Sequence, residues 1–277
     1  MPFSKEEYSS VHLKSFKAVY TTLLIFFPLL EATTDSVRES EIHLYTFLLL
    51  SSFMLSASKE KYSLLAINVG DEGGFAPPLR VPEEALNLIL KAAKNLGYQN
   101  KIKIILDVAA SQFFVNGKYK MKFGVFTSEG LLRYYSDLVQ KYPVLGLEDP
   151  FSEEDWEGFQ KITKKFGKKI AIIGDDLLTT NPERIKEAYN KKACNAIILK
   201  PNQIGTITEA IEAGRLAKSY GWKVFVKQRG GETNDDFIAD LAVGLGAEGI
   251  MTGAPARGER VAKYNRLLKI EEELHKD

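Results

Sequence analysis

The chain has 277 residues, with 37 Lys and Arg against 36 Asp and Glu, one cysteine and three histidines. Apolar residues make up 45% and charged residues 26%, values that exclude disorder, collagen-like repeats and a disulfide scaffold and leave one large domain or two small ones. The net charge of +1 excludes a phosphate-tracking nucleic-acid binder, which carries a basic surplus, and the lone Cys194 points to a reducing, cytoplasmic setting.

Residues 1–62 form an atypical apolar head. Two uncharged stretches, Ala18 to Leu30 (AVYTTLLIFFPLL) and His43 to Ser58 (HLYTFLLLSSFMLSAS), fall short of the roughly 20 apolar residues of a membrane span. A secretory leader is a poor match, because Lys5, Lys14 and Lys17 are mixed with Glu6 and Glu7 instead of forming a basic start. The expectation is two helices, buried or facing a partner chain, with membrane association the weaker alternative.

Residues 63–277 are regular. Apolar runs at 66–69 (AINV), 103–106 (KIIL), 144–147 (VLGL), 170–173 (IAII), 196–199 (AIIL), 223–226 (KVFV) and 249–251 (GIM) suit strands covered on both faces, as in a parallel sheet. Between them, PEEALNLILKAAKNLG, NPERIKEAYNKKA and TITEAIEAGRLAKSYG predict helices. Pro82 and Pro182 stand at first helical turns, and Gly97 and Gly221 at C-terminal caps. The stretch FFVNGKYKMKFG reads as an inserted hairpin.

Asp107, Glu148, Asp175, Lys200, Gln228 and Met251 each follow or close an apolar run, spaced by 41, 27, 25, 28 and 23 residues. After the first gap that is one βα unit per step, so a (β/α) barrel would gather all six at one mouth. No G-x-G-x-x-G follows a strand, which leaves an open dinucleotide-binding sheet without support.

The chemistry is narrowed by what is missing. His12, His43 and His275 leave residues 44–274 without histidine, which excludes a Ser/His/Asp triad, a Cys/His pair and a His-rich zinc site there. Three carboxylates at successive strand ends, Asp107, Glu148 and Asp175, are costly together unless a cation neutralises them, and oxygen-only ligands point to Mg²⁺ or Mn²⁺. Lys200 beside them is either a balancing charge or a base. Base and metal together predict proton abstraction α to a carboxylate.

Several longer stretches carry a resemblance. They are NVGDEGGFAPP (68–78), LDVAAS (106–111), LEDPFSEEDW (147–156), GDDLLTTNPERI (174–185), LKPNQIGTITEAIEA (199–213), GETNDDFIADLAVGL (231–245) and TGAPARGERVAKYNRLLKIEEEL (252–274). In this order they resemble the enolases, phosphopyruvate hydratases, over roughly residues 59–277. A lysine or histidine base with one or two Mg²⁺ ions is the general enolase-superfamily arrangement, known independently of this chain. The resemblance implies that Asp107, Glu148 and Asp175 ligate Mg²⁺ and that Lys200 removes the C2 proton of 2-phosphoglycerate. It further implies that Glu72 assists loss of the C3 hydroxyl as an acid and that Arg229 contacts the substrate phosphate.

Departures from the family pattern matter equally. Where the family reads V-S-H-R-S, this chain has Val226, Lys227, Gln228, Arg229 and Gly230, so a substrate-contacting histidine is Gln228 and a serine is Gly230. The pattern I-K-T-G-A-P reads Ile250, Met251, Thr252, Gly253, Ala254, Pro255, so a lysine that holds the substrate carboxylate is Met251. Residues 1–58 do not resemble the family's capping domain or its Q-E-F-M-I strand, which predicts an enolase-type barrel one strand short. The open edge would be covered by the apolar head or by a partner chain.

Two functions follow. One is Mg²⁺-dependent dehydration of 2-phosphoglycerate to phosphoenolpyruvate, a lyase step of glycolysis, in a cytoplasmic protein that binds a small phosphorylated carboxylate; a homo-oligomer is implied by the resemblance alone. The other is a catalytically impaired homologue kept as a binding or scaffold module, favoured by the joint change at Gln228 and Met251.

Overall fold

Along the chain, β1 (Leu24–Ile25), α1 (Pro82–Asn95), β2 (Ile104–Asp107), the short strands β3 (Phe114–Val115), β4 (Lys118–Met121) and β5 (Gly124–Phe126), and α2 (Ser128–Lys141) precede a repeating series. That series is β6 (Val144–Glu148), α3 (Trp156–Phe166), β7 (Ala171–Gly174), α4 (Pro182–Lys191), β8 (Ala196–Leu199), the one-turn α5 (Pro201–Ile204) and α6 (Ile207–Ser219). It ends with β9 (Lys223–Lys227), α7 (Phe237–Gly244), β10 (Gly249–Met251) and α8 (Gly258–Leu274). The computed structural model describes Leu24–Ile25 and residues 68–274. The expected division near residue 62 and the rest of the apolar head lie outside the described residues.

Six of the expected strands pair in parallel, in the order β2-β6-β7-β8-β9-β10. Between their charged end residues they are apolar because both faces are covered. Ile173, Ile198 and Phe225 pack on one side with Ile105, Ala171, Ala196 and Met251. Their chain neighbours Ile172, Ile197, Val224 and Val226 pack on the other with Ile162, Ile185 and Ala213 of the helices. Successive side chains of a strand point to opposite faces, so each run fills two cores at once. Each fully buried isoleucine contributes about 2 kcal/mol.

The helices begin where their caps are. Thr206 accepts from the N–H of Glu209 at 3.2 Å and donates to its carboxylate at 2.6 Å, which fixes the start of α6. Asn181 caps α4 at the N–H of Glu183, 2.8 Å, with Pro182 in the first turn. Asp155 caps α3 at the N–H of Gly158, 2.9 Å. Gly97 and Gly221 take left-handed φ of 76° and 72° just past α1 and α6, as their positions predict. The inserted hairpin is a three-stranded antiparallel sheet, β3-β4-β5, whose Tyr119 is buried against Phe113 and Phe151.

As expected for an incomplete barrel, the parallel sheet is a curled wall that is open among the described residues, with β10 at one edge. Two expectations are corrected. The AINV run does not add a parallel strand: Val69 makes only an isolated antiparallel bridge to Phe75 across the GDEGG turn, and residues 66–67 lie outside the described residues. The other edge is met from the head, where Leu24 pairs with Ile105 and Ile25 with Ile104, antiparallel. That part of the first apolar stretch is therefore strand, not helix: an open edge offers backbone partners that a helix leaves unmet.

Candidate active site

The parallel register sets the site. Asp107 stands directly opposite Glu148, and Lys227 opposite Met251, while Asp175 and Lys200 follow the last residues of β7 and β8. Like charges opposite each other in a ladder are destabilising, so Asp107 and Glu148 require a cation between them.

That cation is a side chain. Lys227 Nζ donates to Asp107 Oδ2 at 2.7 Å and to Glu148 Oε1 at 2.6 Å, and lies 4.0 Å from Asp175 Oδ2. Its side chain is 4% exposed. Lys200 Nζ donates to Asp175 Oδ2, and Gln203 Nε2 to Asp175 Oδ1 at 3.3 Å. Thr180 holds this corner together, accepting from the Lys200 N–H at 2.9 Å and donating to Gln203 Oε1 at 2.9 Å. Thr179 and Thr180 take φ of 48° and 57°, backbone strain that persists only where surrounding contacts enforce it.

Burial pushes the Glu148 carboxyl well up, and the neighbouring Asp107 charge adds to it. Burial opposes the charge on Lys227, but Asp107 and Glu148 override it and hold the ammonium well above its ordinary range. Burial also acts upward on Asp175, yet Lys200 and then Lys227 keep that carboxyl below its usual value. Asp149 accepts from the N–H groups of Asp175 at 3.0 Å and Asp176 at 2.7 Å, locking the end of β6 to the end of β7. Asp149, Asp175 and Asp176 each offer an oxygen within 4.8 Å of the others, a group that could hold a metal ion.

The remaining expected residues are placed around this cluster. Gln228 is buried, and neither atom of its amide head has a hydrogen-bond partner among the described residues. A Cβ at residue 253 would lie 2.6 Å from Gln228 Nε2 and 2.7 Å from the Glu72 carbonyl, so Gly253 is what allows the Glu72 loop to reach Gln228. Gly73, with φ of 78°, likewise lies where a Cβ would meet the Ala256 carbonyl at 2.7 Å. Met251 packs in the inner apolar cluster. Arg229 and Gly230 are exposed, and Arg229 touches Glu232 through its backbone N–H at 3.3 Å. A cavity of about 520 Å³ lies among Pro78 to Val81, Lys122 and Phe123, none of which belongs to the cluster.

Two further positioning residues come from α8. The Arg260 guanidinium donates to the carbonyls of Asp71 at 2.9 Å, Arg229 at 2.8 Å and Gly230 at 2.6 Å, and Lys263 Nζ to that of Thr233 at 2.6 Å. Both are 1% exposed. Charges on an amphipathic helix read as a solvated face, and nothing in their spacing marks them as buried clamps.

Residues 46–277 match the family described as enolase, C-terminal TIM barrel domain. This chain belongs to the enolase family. It is 55% identical over 230 residues to enolase B of Dictyostelium discoideum, covering 79% of this chain and 52% of that protein. It is 52% identical over 228 residues to enolase of Mastigamoeba balamuthi, covering 78% and 52%. Against enolase of Methanocaldococcus jannaschii it is 53% identical over 215 residues, covering 78% and 50%. The chain spans about half the length of these curated relatives.

Set beside the enolase pattern V-S-H-R-S, the residue that sequence reasoning passed over is Lys227, at the serine position. Its signal was a charged residue closing the apolar run of β9, the same signal that singled out Lys200. The three carboxylates have the donor chemistry that Mg²⁺ prefers, and buried Glu148 Oε2 has no hydrogen-bond partner among the described residues. Mg²⁺, however, requires near-octahedral oxygen coordination, and the space between Asp107 and Glu148 is taken by an ammonium. As arranged, these residues do not fit the ion.

Proposed function

We propose that this chain performs enolase-type chemistry on a small phosphorylated carboxylate, 2-phosphoglycerate in the family reaction, in the cytoplasm. The observation that supports it is the convergence of Lys200 with Asp107, Glu148 and Asp175 at one rim of the sheet. Lys200 takes the proton from the carbon α to the carboxylate. The resulting electron pair then forms the double bond as the C3–O bond breaks, and the departing hydroxide takes a proton from Glu72 to leave as water. Asp175 and Thr180 orient Lys200, while Arg229 and Gly230 form the exposed rim that meets the phosphate. Self-association into a homo-oligomer belongs to the same proposal and is read by analytical ultracentrifugation.

The test is formation of phosphoenolpyruvate from 2-phosphoglycerate by the purified chain, followed by ultraviolet absorbance. Lys200→Ala is expected to lower the rate about 10²- to 10⁴-fold, the usual contribution of a positioned base. An unchanged rate in that variant overturns the assignment.

A binding role without turnover is favoured by one specific observation. The two positions where the family pattern supplies polar substrate contacts are here an amide without a partner among the described residues, Gln228, and an apolar core residue, Met251. A folded protein that binds 2-phosphoglycerate in calorimetry and yields no product supports this role.

A further inference from the structure

We propose that Lys227 is a tethered cation that takes the place of the divalent ion in the carboxylate cluster, so that Asp107, Glu148 and Asp175 are held together without metal. This rests on the enolase-type reading of that cluster and concerns what fills it.

Four observations carry the proposal. Lys227 Nζ bridges the two carboxylates that the sheet register sets side by side, with both contacts below 2.8 Å. It closes β9 inside the wall and its side chain is 4% exposed, so it has no solvated position at hand to which an entering ion could send it. The second lysine, Lys200, occupies the remaining acid, Asp175, whose other oxygen is held by Gln203. Lastly, serine is the family residue at position 227. With serine there, three carboxylates face one lysine and carry two uncompensated negative charges, which a divalent ion cancels. With Lys227 only one remains, and an incoming Mg²⁺ would meet an ammonium in its own site.

Separating a buried ammonium from two carboxylates is costly enough to weaken metal binding by roughly 10²-fold or more. The ammonium also differs in what it offers a ligand. It brings one positive charge instead of two, and of its three N–H groups two are already engaged, whereas a metal ion presents open coordination positions to substrate oxygens.

The experiment is Mn²⁺ binding to the full chain without substrate, read by electron paramagnetic resonance, in the unaltered protein, Lys227→Ser, Asp107→Asn, and Lys227→Ser with Asp107→Asn. The expected result is no Asp107-dependent uptake by the unaltered chain. Lys227→Ser is expected to take up one ion per chain at least about 10²-fold more tightly, and Asp107→Asn in that background to abolish it. Uptake by the unaltered chain that Asp107→Asn removes overturns the proposal. If Lys227→Ser leaves the acids unpaired and unfolds, return of its native circular dichroism on addition of Mg²⁺ supports the proposal, and failure to return overturns it. Because none of these readouts uses substrate, absence of phosphoenolpyruvate formation bears on the proposed function and leaves this assignment standing.

Discussion

Gln228 sits two ways in this molecule. As a buried amide whose nitrogen and oxygen both lack partners among the described residues, it costs stability, since an unsatisfied buried polar group is penalised by about 1–3 kcal/mol. Gln228→Met, similar in volume and apolar, is therefore expected to stabilise the fold by about 1 kcal/mol, a rise in Tm of roughly 2–4 °C in a scanning calorimeter. As a substrate contact it is deficient in the opposite sense. Gln228→His together with Met251→Lys restores two charge-bearing contacts, and a gain of about 10²-fold in kcat/KM is expected, the usual scale for one preorganised donor. A steady-state assay that finds no gain places the deficit at Lys227 instead. Residue identity alone exposed Gln228 and Met251, because a motif pattern marks what has been replaced. The same pattern marks Lys227 in place of serine, but the importance of a charge there appears only once the ladder sets Asp107 against Glu148.

At the scale of elements, α8 does more than cover the wall. Its Arg260 joins the Asp71 loop to the 229–230 loop through three carbonyls. Arg260→Met leaves these carbonyls unmet, with an expected loss of about 2–4 kcal/mol in denaturant unfolding and faster amide exchange in both loops. The same helix is tied to α7 by Arg266, whose Nη2 and Nε donate to Asp240 at 2.6 and 2.9 Å. These bonds hold the Asp240 carboxyl below its ordinary value. A lowered folded pKa gives a contribution that is present above the unfolded value of about 3.9 and disappears as pH falls through the folded one. Asp240→Asn should therefore lower stability modestly at neutral pH and leave it unchanged in strong acid, which chemical denaturation at the two pH values measures. The helices α1, α4 and α6 were legible from Pro82, Pro182, Gly97 and Gly221, whose backbone preferences act locally. The role of α8 was not, because Arg260 and Lys263 are buried by partners more than 25 positions away in the chain, and amphipathic spacing carries no record of such partners.

For the molecule as a whole, the decisive property is a parallel sheet that is open among the described residues. The strand-end spacing revealed the common rim, since one βα unit per step repeats the same geometry, but it could not show whether the wall closes. Closure depends on what pairs with the edge of β2, and that partner is β1, an antiparallel pair of residues from a stretch whose composition reads as helix. Ile25→Pro removes a backbone donor from this edge and disfavours the extended pairing. The expected outcome is a larger aggregated fraction in size-exclusion chromatography with light scattering, because a freed strand edge templates association.

The link from Arg260 to Asp71 spans 189 positions. During synthesis the loop bearing Glu72 is made well before its clamp, at a pace of about 5–20 residues per second. For about 4–17 s at that pace, while the 85 residues from Asp175 to Arg260 are added, the growing chain holds its three rim carboxylates without the clamp that fixes the Glu72 loop. Assembly of the site is thereby timed by the synthesis of α8, and a nascent chain arrested before that helix would carry the carboxylates and both lysines yet remain chemically unfinished.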